Sequence, residues 1–227
     1  MGSAAAAEPQ SPDAAPVDRD TVAFKLGISF NALGRPADGP GEPTLLAGSA
    51  FTGVGFVVGG SYELARVMPL LSLESGLFYG HSTASGFEIR GEQEREVLLE
   101  VDAVRVPLWL RVEWPALPAL RLVVGGGPEV LFGVASASTV REKNIPEDQA
   151  AALLTRAVTS VQLTGIVGVE IDAGPVVIPL SFHASVNPLT GETTAERTEG
   201  GQGGQLGPFQ VEFDFELMGM LGVGFEL

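Results

Sequence analysis

Apolar residues recur at every second position along most of the chain from Thr21 onward. The first segment places Phe, Leu, Ile and Phe on one face between residues 24 and 30, with Lys, Gly and Ser on the other. A period of two is typical of β-strands, whose successive side chains point to opposite faces. The alternation therefore predicts an all-β fold of eight strands. The predicted strands lie in segments 24–30, 54–64, 71–80, 104–113, 120–133, 161–171, 176–186 and 209–227.

The connections between these segments alternate between long and short. Outer-membrane barrels have long extracellular loops and short periplasmic turns. The sequence thus predicts an antiparallel up-and-down transmembrane barrel with both termini on the periplasmic side. The third long loop also carries Ile145–Gln149, which suits the first turn of a short helix over Ala150–Arg156. The four long connections are Gly34–Ser49, His81–Val97, Ser136–Thr159 and Asn187–Pro208, and the three short ones are Ala65–Met68, Trp114–Ala119 and Asp172–Gly174.

The residues on the polar face indicate whether the apolar face points out of the barrel or into it. The longest wholly apolar runs have about four to six residues, far short of the roughly 20 that a spanning helix needs, so a membrane form would have to be a closed barrel. The other face is rich in Gly and Ser, and only 18% of the chain is charged, whereas a soluble surface is about 25–35% charged. The apolar face is predicted to meet lipid; a soluble lipocalin-like ligand-binding barrel, apolar inside, is the disfavoured alternative.

Composition excludes several classes of function. The net charge of −15 leaves no basic surface for nucleic acid. The absence of cysteine excludes disulfides, thiol nucleophiles and Cys-based zinc sites. Residues 1–20 lack the apolar core of a signal peptide and are interpreted as a disordered leader, with residues 1–3 added in place of a removed signal, and the barrel is assigned to residues 21–227.

Charged residues on the inward face form two predicted groups. The first lies near the periplasmic end, as a buried ion-pair plug or as rim charges facing water, and its members are Lys25, Glu63, Arg111, Glu113, Arg121, Glu170 and Glu226. An unpaired charge there would be costly, so partners are expected. The second is an acidic lumen mouth near the extracellular end, interpreted as a cation site or gate or as a solvated rim, and its members are Glu129, Glu212, Asp214 and Glu216, with Arg105 deeper.

Catalytic residues are scarce. Ser181, His183 and Ser185 share one face of the seventh strand, and same-face neighbours are about 7 Å apart, too far for a direct hydrogen bond without a bend. With two histidines in the chain, a transition-metal site is not expected. The sequence predicts no enzyme activity, no metal and no cofactor, although a Ca²⁺ site built from loop acids stays open.

The fourth and fifth strands carry a motif, Val104-Arg105-Val106-Pro107-Leu108-Trp109-Leu110-Arg111, followed after a short turn by a strand with Gly127-Pro128. This resembles the PorT-like family of small outer-membrane β-barrel proteins, which are OmpX-like in size. The C-terminus, with Gly222, Phe225 and Leu227, is similar to the signal that the outer-membrane assembly machinery reads, although Leu stands where an aromatic residue is usual. The resemblance implies a bacterial outer-membrane location and an eight-stranded barrel.

Such a fold does not fix one activity. The first expectation is a structural or interaction component of the cell envelope that displays its loops or anchors a partner, with a plugged lumen, since eight-stranded barrels are normally filled by side chains. The alternative is a narrow cation-preferring conduit. The expected partners are outer-membrane lipid, the assembly machinery and an unidentified envelope or extracellular protein.

Overall fold

The computed structural model describes residues 21–33, 51–90, 92–144, 155–189 and 209–226, apart from the side chains of residues 88–90, 209 and 210. Eight long antiparallel strands close into a barrel in the order β1-β10-β8-β7-β5-β4-β3-β2, and two short strands, β6 and β9, pair in parallel beside it. The predicted fold class is therefore confirmed. The strands are β1 Thr21–Leu33, β2 Phe51–Met68, β3 Leu71–Arg90, β4 Gln93–Leu117, β5 Leu120–Lys143, β6 Thr155–Ala157, β7 Ser160–Ala173, β8 Val176–Val186, β9 Phe209–Val211 and β10 Phe213–Glu226.

The barrel closes between its first and last strands. Thr21 pairs with Glu226, and the register continues without interruption to Ala32, opposite Phe215. These paired ends lie at the same end of the barrel as the three short turns, as an even number of up-and-down strands requires. Among the described residues, no helix is long and apolar enough to span a membrane.

Five predicted connections are shorter than the sequence suggested. The predicted turn Ala65–Met68 belongs to β2, which ends at Met68, and β7 runs to Ala173, inside the predicted turn Asp172–Gly174. Residues 81–97 are not a loop: β3 continues to Arg90 and β4 begins at Gln93. Similarly, β5 runs on to Lys143, and β4 extends down to Leu117. The end of the predicted helix, Thr155–Ala157, is instead strand β6. The rest of that helix, the leader, residue 227, the 34–49 loop and most of the 187–208 loop lie outside the described residues.

Inward glycines allow the tight curvature of an eight-stranded barrel. At Gly127 on β5, a Cβ atom would lie 2.1 Å from the carbonyl oxygen of Leu108 on the neighbouring β4. No side chain fits there, because the backbone of the neighbouring strand occupies the space. Gly219 on β10 faces outward, and a Cβ there would meet nothing within 4 Å. Gly127 therefore has no room for a side chain, whereas Gly219 has, and the two positions can be compared directly.

Gly127→Ala is expected to lower the free energy of unfolding by about 1–3 kcal/mol, because the added methyl group forces the two strands apart. Gly219→Ala is expected to change it by less than about 1 kcal/mol, since the only effects are on chain entropy. Urea unfolding of the refolded barrel, followed by tryptophan fluorescence, measures both. Equal losses in the two variants would contradict the close approach of β4 to Gly127.

Candidate functional site

The outer surface of the barrel carries a broad apolar belt. On every barrel strand the outward positions are filled by large hydrophobic side chains that are more than a third exposed, among them Ile28, Val167 and Leu221. Monomeric soluble proteins rarely expose a contiguous apolar patch of more than a few hundred Å². A belt that encircles the molecule is typical of a barrel surrounded by lipid.

Aromatic side chains border this belt at two levels. The level near the short turns carries Tyr62, Trp114 and Phe225, and the opposite level carries Phe30, Phe56, Tyr79 and Phe132, all outward and exposed. Along β4, the belt runs from Trp114 up to Val104. Ten residues at about 3.3 Å each, tilted by about 40°, span about 25 Å, which is the height of the apolar band in outer-membrane barrels.

The apolar face of β4 changes sides above Val104. Below that point the outward residues are apolar, whereas above it the apolar residues Val97, Leu99 and Val101 point inward and are buried. Apart from Leu98, the outward positions there are polar, and cross-strand ion pairs join β4 to β5, with Glu94 3.1 Å from Lys143 and Glu96 3.4 Å from Arg141. We call this upper part of β3, β4 and β5, residues 80–90, 93–103 and 133–143, the extension. Its polar outer face is typical of a protein surface in water.

A hydrophobic cluster fills the inside of the barrel at the level of the extension. We call it the cap core. Three strands outside the extension contribute to it through Leu33 of β1, Phe51 of β2 and Phe213 of β10. Its members are Leu33, Phe51, Ala84, Val97, Leu99, Val101, Leu131, Val211 and Phe213. The extension is therefore packed onto the barrel, and its apolar residues close the upper end of the lumen.

The eighth predicted strand does not keep one phase to its start. A bulge at Asp214 lies between the pairs Ala32–Phe215 and Leu33–Phe213. One extra residue in a strand turns the side chains beyond it to the other face. Val211 and Phe213, predicted to face outward with the rest of the strand, are consequently buried in the cap core.

Below the cap core, a buried charged cluster crosses the lumen. Arg105 of β4 contacts Glu129 of β5, with Nε 2.8 Å from Oε1, and also pairs with Glu216 of β10. Thr164 donates a hydrogen bond of 3.2 Å to the second oxygen of Glu129. Gln162 lies 3.4 Å from the Arg105 guanidinium. We call this group the Arg105 cluster. Its charged side chains are almost fully buried.

The prediction of an open acidic mouth is therefore wrong. Glu129 and Glu216 lie beneath the cap core and pair with Arg105, which the sequence placed deeper than the acids. Glu212 is buried, and Asp214 occupies the bulge with partial exposure. The cause is the inward turn of apolar residues above these acids, which replaces the expected solvated rim with a hydrophobic core.

A second apolar layer lies below the Arg105 cluster. It consists of Val57, Phe78, Trp109, Ile166, Met218 and Met220, all buried. The rings of Phe78 and Trp109 lie 6.1 Å apart, and the Met218 sulfur lies 3.8 Å from the Arg105 guanidinium above it. The alternation does not predict this layer, because the inward face was expected to carry small and charged residues, whereas Val57 and Phe78 are large apolar side chains that point inward.

The lowest layer is an ion-pair network that contains all seven residues predicted for the periplasmic end. Lys25 pairs with Glu74 at 2.5 Å, and Arg111 pairs with both Glu74 and Glu170. Arg121 lies 3.2 Å from Glu113. The network has three further members that were not predicted from the sequence. They are Glu74, Arg66, which joins Glu63 to Glu113, and Asp172, which pairs with Arg121.

The exposure of its side chains shows which parts of this network form a buried plug and which form a rim facing water. Lys25, Glu74, Arg111, Glu113 and Glu170 are almost fully buried. By contrast, Arg66, Arg121 and Asp172 are partly exposed around them, and Glu226 lies 3.8 Å from Arg121. The network is thus a plug in its inner part and a rim in its outer part. From the short turns upward, the described interior alternates between charged and apolar layers.

Several solved barrels are similar to the chain. Neisserial surface protein A is 8% identical over 91% of this chain and 97% of its own, with a TM-score of 0.40. OprG from Pseudomonas aeruginosa is 9% identical over 92% and 96%, with a TM-score of 0.37. Ail of Yersinia pestis, solved with the heparin analogue sucrose octasulfate, is 12% identical over 92% and 99%, with a TM-score of 0.33. Likeness at this level concerns the barrel shape alone.

No family model matches the chain, and no curated protein matches it. The resemblance to the PorT-like family therefore stays a prediction that rests on the strand motif. In the structure, Pro107 of that motif faces inward on β4, opposite Glu129. The motif thus contributes Arg105, Trp109 and Arg111 to three successive layers of the interior.

The Ser181–His183 pair departs from the prediction. The hydroxyl of Ser181 lies 2.8 Å from Nε2 of His183, because the two side chains lean toward each other along the same face of β8. His183 is 1% exposed, its ring packs edge-on to Trp109 at 5.0 Å, and its Nδ1 has no hydrogen-bond partner among the described residues. The pair lies within the filled interior, beside a small cavity lined also by Lys25 and Glu170.

Proposed function

We propose that this chain is a bacterial outer-membrane barrel that anchors its extension at the cell surface, as a structural or interaction component of the envelope. The observation that carries the proposal is the change of apolar face along β4. Lipid would surround the strand up to Val104, and water would surround it beyond Asp102. In this placement the short turns and both described ends face the periplasm.

The filled interior favours an anchor over a conduit. Two apolar layers and two charged layers cross the described lumen, and the charged side chains are held in ion pairs. A water-filled path needs polar groups that face an open channel along its whole length. A protein that displays a surface needs no open channel. The surface available for display here is the β-sheet that continues about 25 Å above the belt.

Two further parts of the proposal rest on the sequence. The assembly machinery would read the C-terminal strand, in which Phe225 faces outward and Gly222 faces inward, where a Cβ would lie 2.7 Å from the carbonyl of Phe24. The third residue of that signal, Leu227, lies outside the described residues. A protein partner would bind the polar outer face of the extension or the long loops, and no enzymatic step is proposed.

The absence of cysteine permits a direct test of location and orientation. Lys143→Cys lies at the tip of the extension, and Ala119→Cys lies in the exposed turn between β4 and β5. In intact cells a membrane-impermeant maleimide is expected to label Lys143→Cys, and to label Ala119→Cys only after the outer membrane is permeabilised. The opposite pattern would reverse the orientation, and equal labelling of both variants in intact cells would overturn the membrane placement.

A further inference from the structure

The Arg105 cluster contains more negative than positive charge. Glu129 and Glu216 share the single guanidinium of Arg105, and all three side chains are at most 3% exposed. Among the described residues, no other Lys or Arg lies within ion-pair distance of either acid. The remaining members of the cluster, Thr164 and Gln162, are neutral. Two carboxylates and one guanidinium leave one negative charge, which is costly to bury unless a positive charge compensates it.

Polar side chains without partners lie beside Glu216. Asn31 of β1 is directly opposite Glu216 and is fully buried. Among the described residues, neither its amide oxygen nor its amide nitrogen has a hydrogen-bond partner, and the same is true of the hydroxyl of Ser29, two positions away on the same inward face. Side chains directly opposite each other on antiparallel strands have Cβ atoms about 4.5–5.5 Å apart, so Asn31 can reach whatever the carboxylate binds. Buried polar groups are normally satisfied, so Asn31 and Ser29 indicate a ligand beside the excess charge.

Further oxygen atoms converge in front of Gly55 on β2, which lies opposite Ser29. A Cβ atom at Gly55 would lie 2.4 Å from the hydroxyl oxygen of Ser82 on β3 and 2.8 Å from that of Ser29. The carbonyl oxygen of His81 lies 2.6 Å from the same point. Because glycine has no side chain, the hydroxyls from β1 and β3 approach each other there. Carboxylate, amide and hydroxyl oxygens are the ligands that hard metal cations prefer.

The charge and the ligands together indicate a monovalent cation. One positive charge neutralises the excess of the Arg105 cluster, whereas a divalent ion would reverse its sign. Ca²⁺ also takes about 6–8 oxygen ligands, with carboxylates prominent among them. Within the described ranges, no three His, Asp or Glu side chains form a group that could hold a metal ion. A site with one carboxylate and several neutral oxygens therefore fits an alkali cation.

We propose that the inner faces of β1, β3 and β10 bind one monovalent metal cation of the size of Na⁺. Glu216 supplies the negative charge. Neutral oxygen ligands come from Asn31, Ser29 and Ser82. The cap core closes the lumen above this site, and the second apolar layer closes it below, so the cation enters as the barrel folds and is held there. The inference concerns the interior of the barrel and does not depend on its placement in a membrane.

The test is urea unfolding of the full chain, refolded in detergent, in NaCl or in choline chloride at the same ionic strength. Choline is also monovalent but is too large for the site. If only the folded barrel binds Na⁺, replacement of choline by about 0.5 M Na⁺ should lower the equilibrium constant of unfolding about 5- to 20-fold. Equal constants in the two salts would overturn the inference, and the excess charge would then be neutralised by a proton.

Two serine variants provide a matched comparison. Ser29→Ala removes a proposed ligand, whereas Ser72→Ala removes a buried hydroxyl of the lower network, which donates to Glu113 at 3.1 Å. Only Ser29→Ala should reduce the ratio of the unfolding constants in the two salts. Glu216→Gln removes the excess charge and should bring the ratio close to one. Each ratio is measured within one variant, so a general loss of stability does not affect it. A ratio that is unchanged in Ser29→Ala and in Glu216→Gln would contradict the site.

Discussion

Replacement of Arg105 by methionine is expected to lower the free energy of unfolding by about 3–5 kcal/mol. Arg105 is the only cation in contact with Glu129 and Glu216 within the described interior, and all three side chains are at most 3% exposed. The variant would leave two carboxylates buried between the cap core and the lower apolar layer. Removal of one partner from a buried ion pair is costly, because the remaining charge is neither solvated nor paired.

Arg141→Met is the matched control for this prediction. Arg141 also pairs with a glutamate, Glu96, but its side chain is 70% exposed on the outer face of the extension. Exposed ion pairs contribute about 0–1 kcal/mol, so this variant should unfold almost like the unmodified chain. The triple variant Arg105→Met, Glu129→Gln, Glu216→Gln should recover most of the loss, since it buries no charge. Urea unfolding in detergent measures all three, and equal stability of Arg105→Met and Arg141→Met would show that water enters the Arg105 cluster.

Val167→Arg is expected to destabilise the barrel in lipid by about 2–4 kcal/mol, the cost of a basic residue on the lipid-facing side of a barrel near the bilayer midplane. Val167 faces outward near the middle of β7 and is 55% exposed. In a soluble barrel the same substitution would place a charge in water at little cost. The variant therefore tests the direction of the apolar face.

Phe87→Arg provides the comparison at almost the same exposure, 56%, on the extension. Above the belt the arginine stays in water, so the loss should be below about 1 kcal/mol. Refolding into phospholipid vesicles over a urea series gives both free energies. Similar small losses at the two positions would contradict the lipid-facing assignment of the belt, and similar large losses would contradict the boundary above Val104.

Strand number, pairing direction and the outward face were predictable because one physical rule dominates the belt. A strand with lipid on one side and a narrow lumen on the other needs an apolar residue at every second position, as β1 shows from Phe24 to Phe30. The seven charges predicted for the end with the short turns were predictable for a related reason. A charge on the inward face of such a strand has few alternatives to a partner of opposite charge elsewhere on the inner wall of the barrel.

The extension was not predictable from the same rule. Residues 81–97 were assigned to a loop because most of their outward positions are polar, so the regular apolar phase of the belt is lost there. The inward residues Ala84, Val97 and Leu99 carry the opposite phase, which is the pattern of a soluble sheet. Glu74 was not among the predicted residues. Its partners Lys25 and Arg111 lie on β1 and β4, and only the three-dimensional arrangement of the strands brings both cations to this carboxylate on β3.

In the proposed placement, the change of apolar face along β4 means that one continuous strand lies partly in lipid and partly in water. The outward residues from Val104 to Trp114 should tolerate exchange among hydrophobic side chains, because lipid tails adapt to the shape of what they surround. The residues from Val97 to Val101 pack against fixed neighbours and follow the volume rules of a protein core. Natural variation along this strand should therefore be wide in the outward positions below Asp102 and narrow in the inward positions above it. In an alignment of related sequences, the position at which the conserved face of β4 changes sides would mark the membrane surface without any structure.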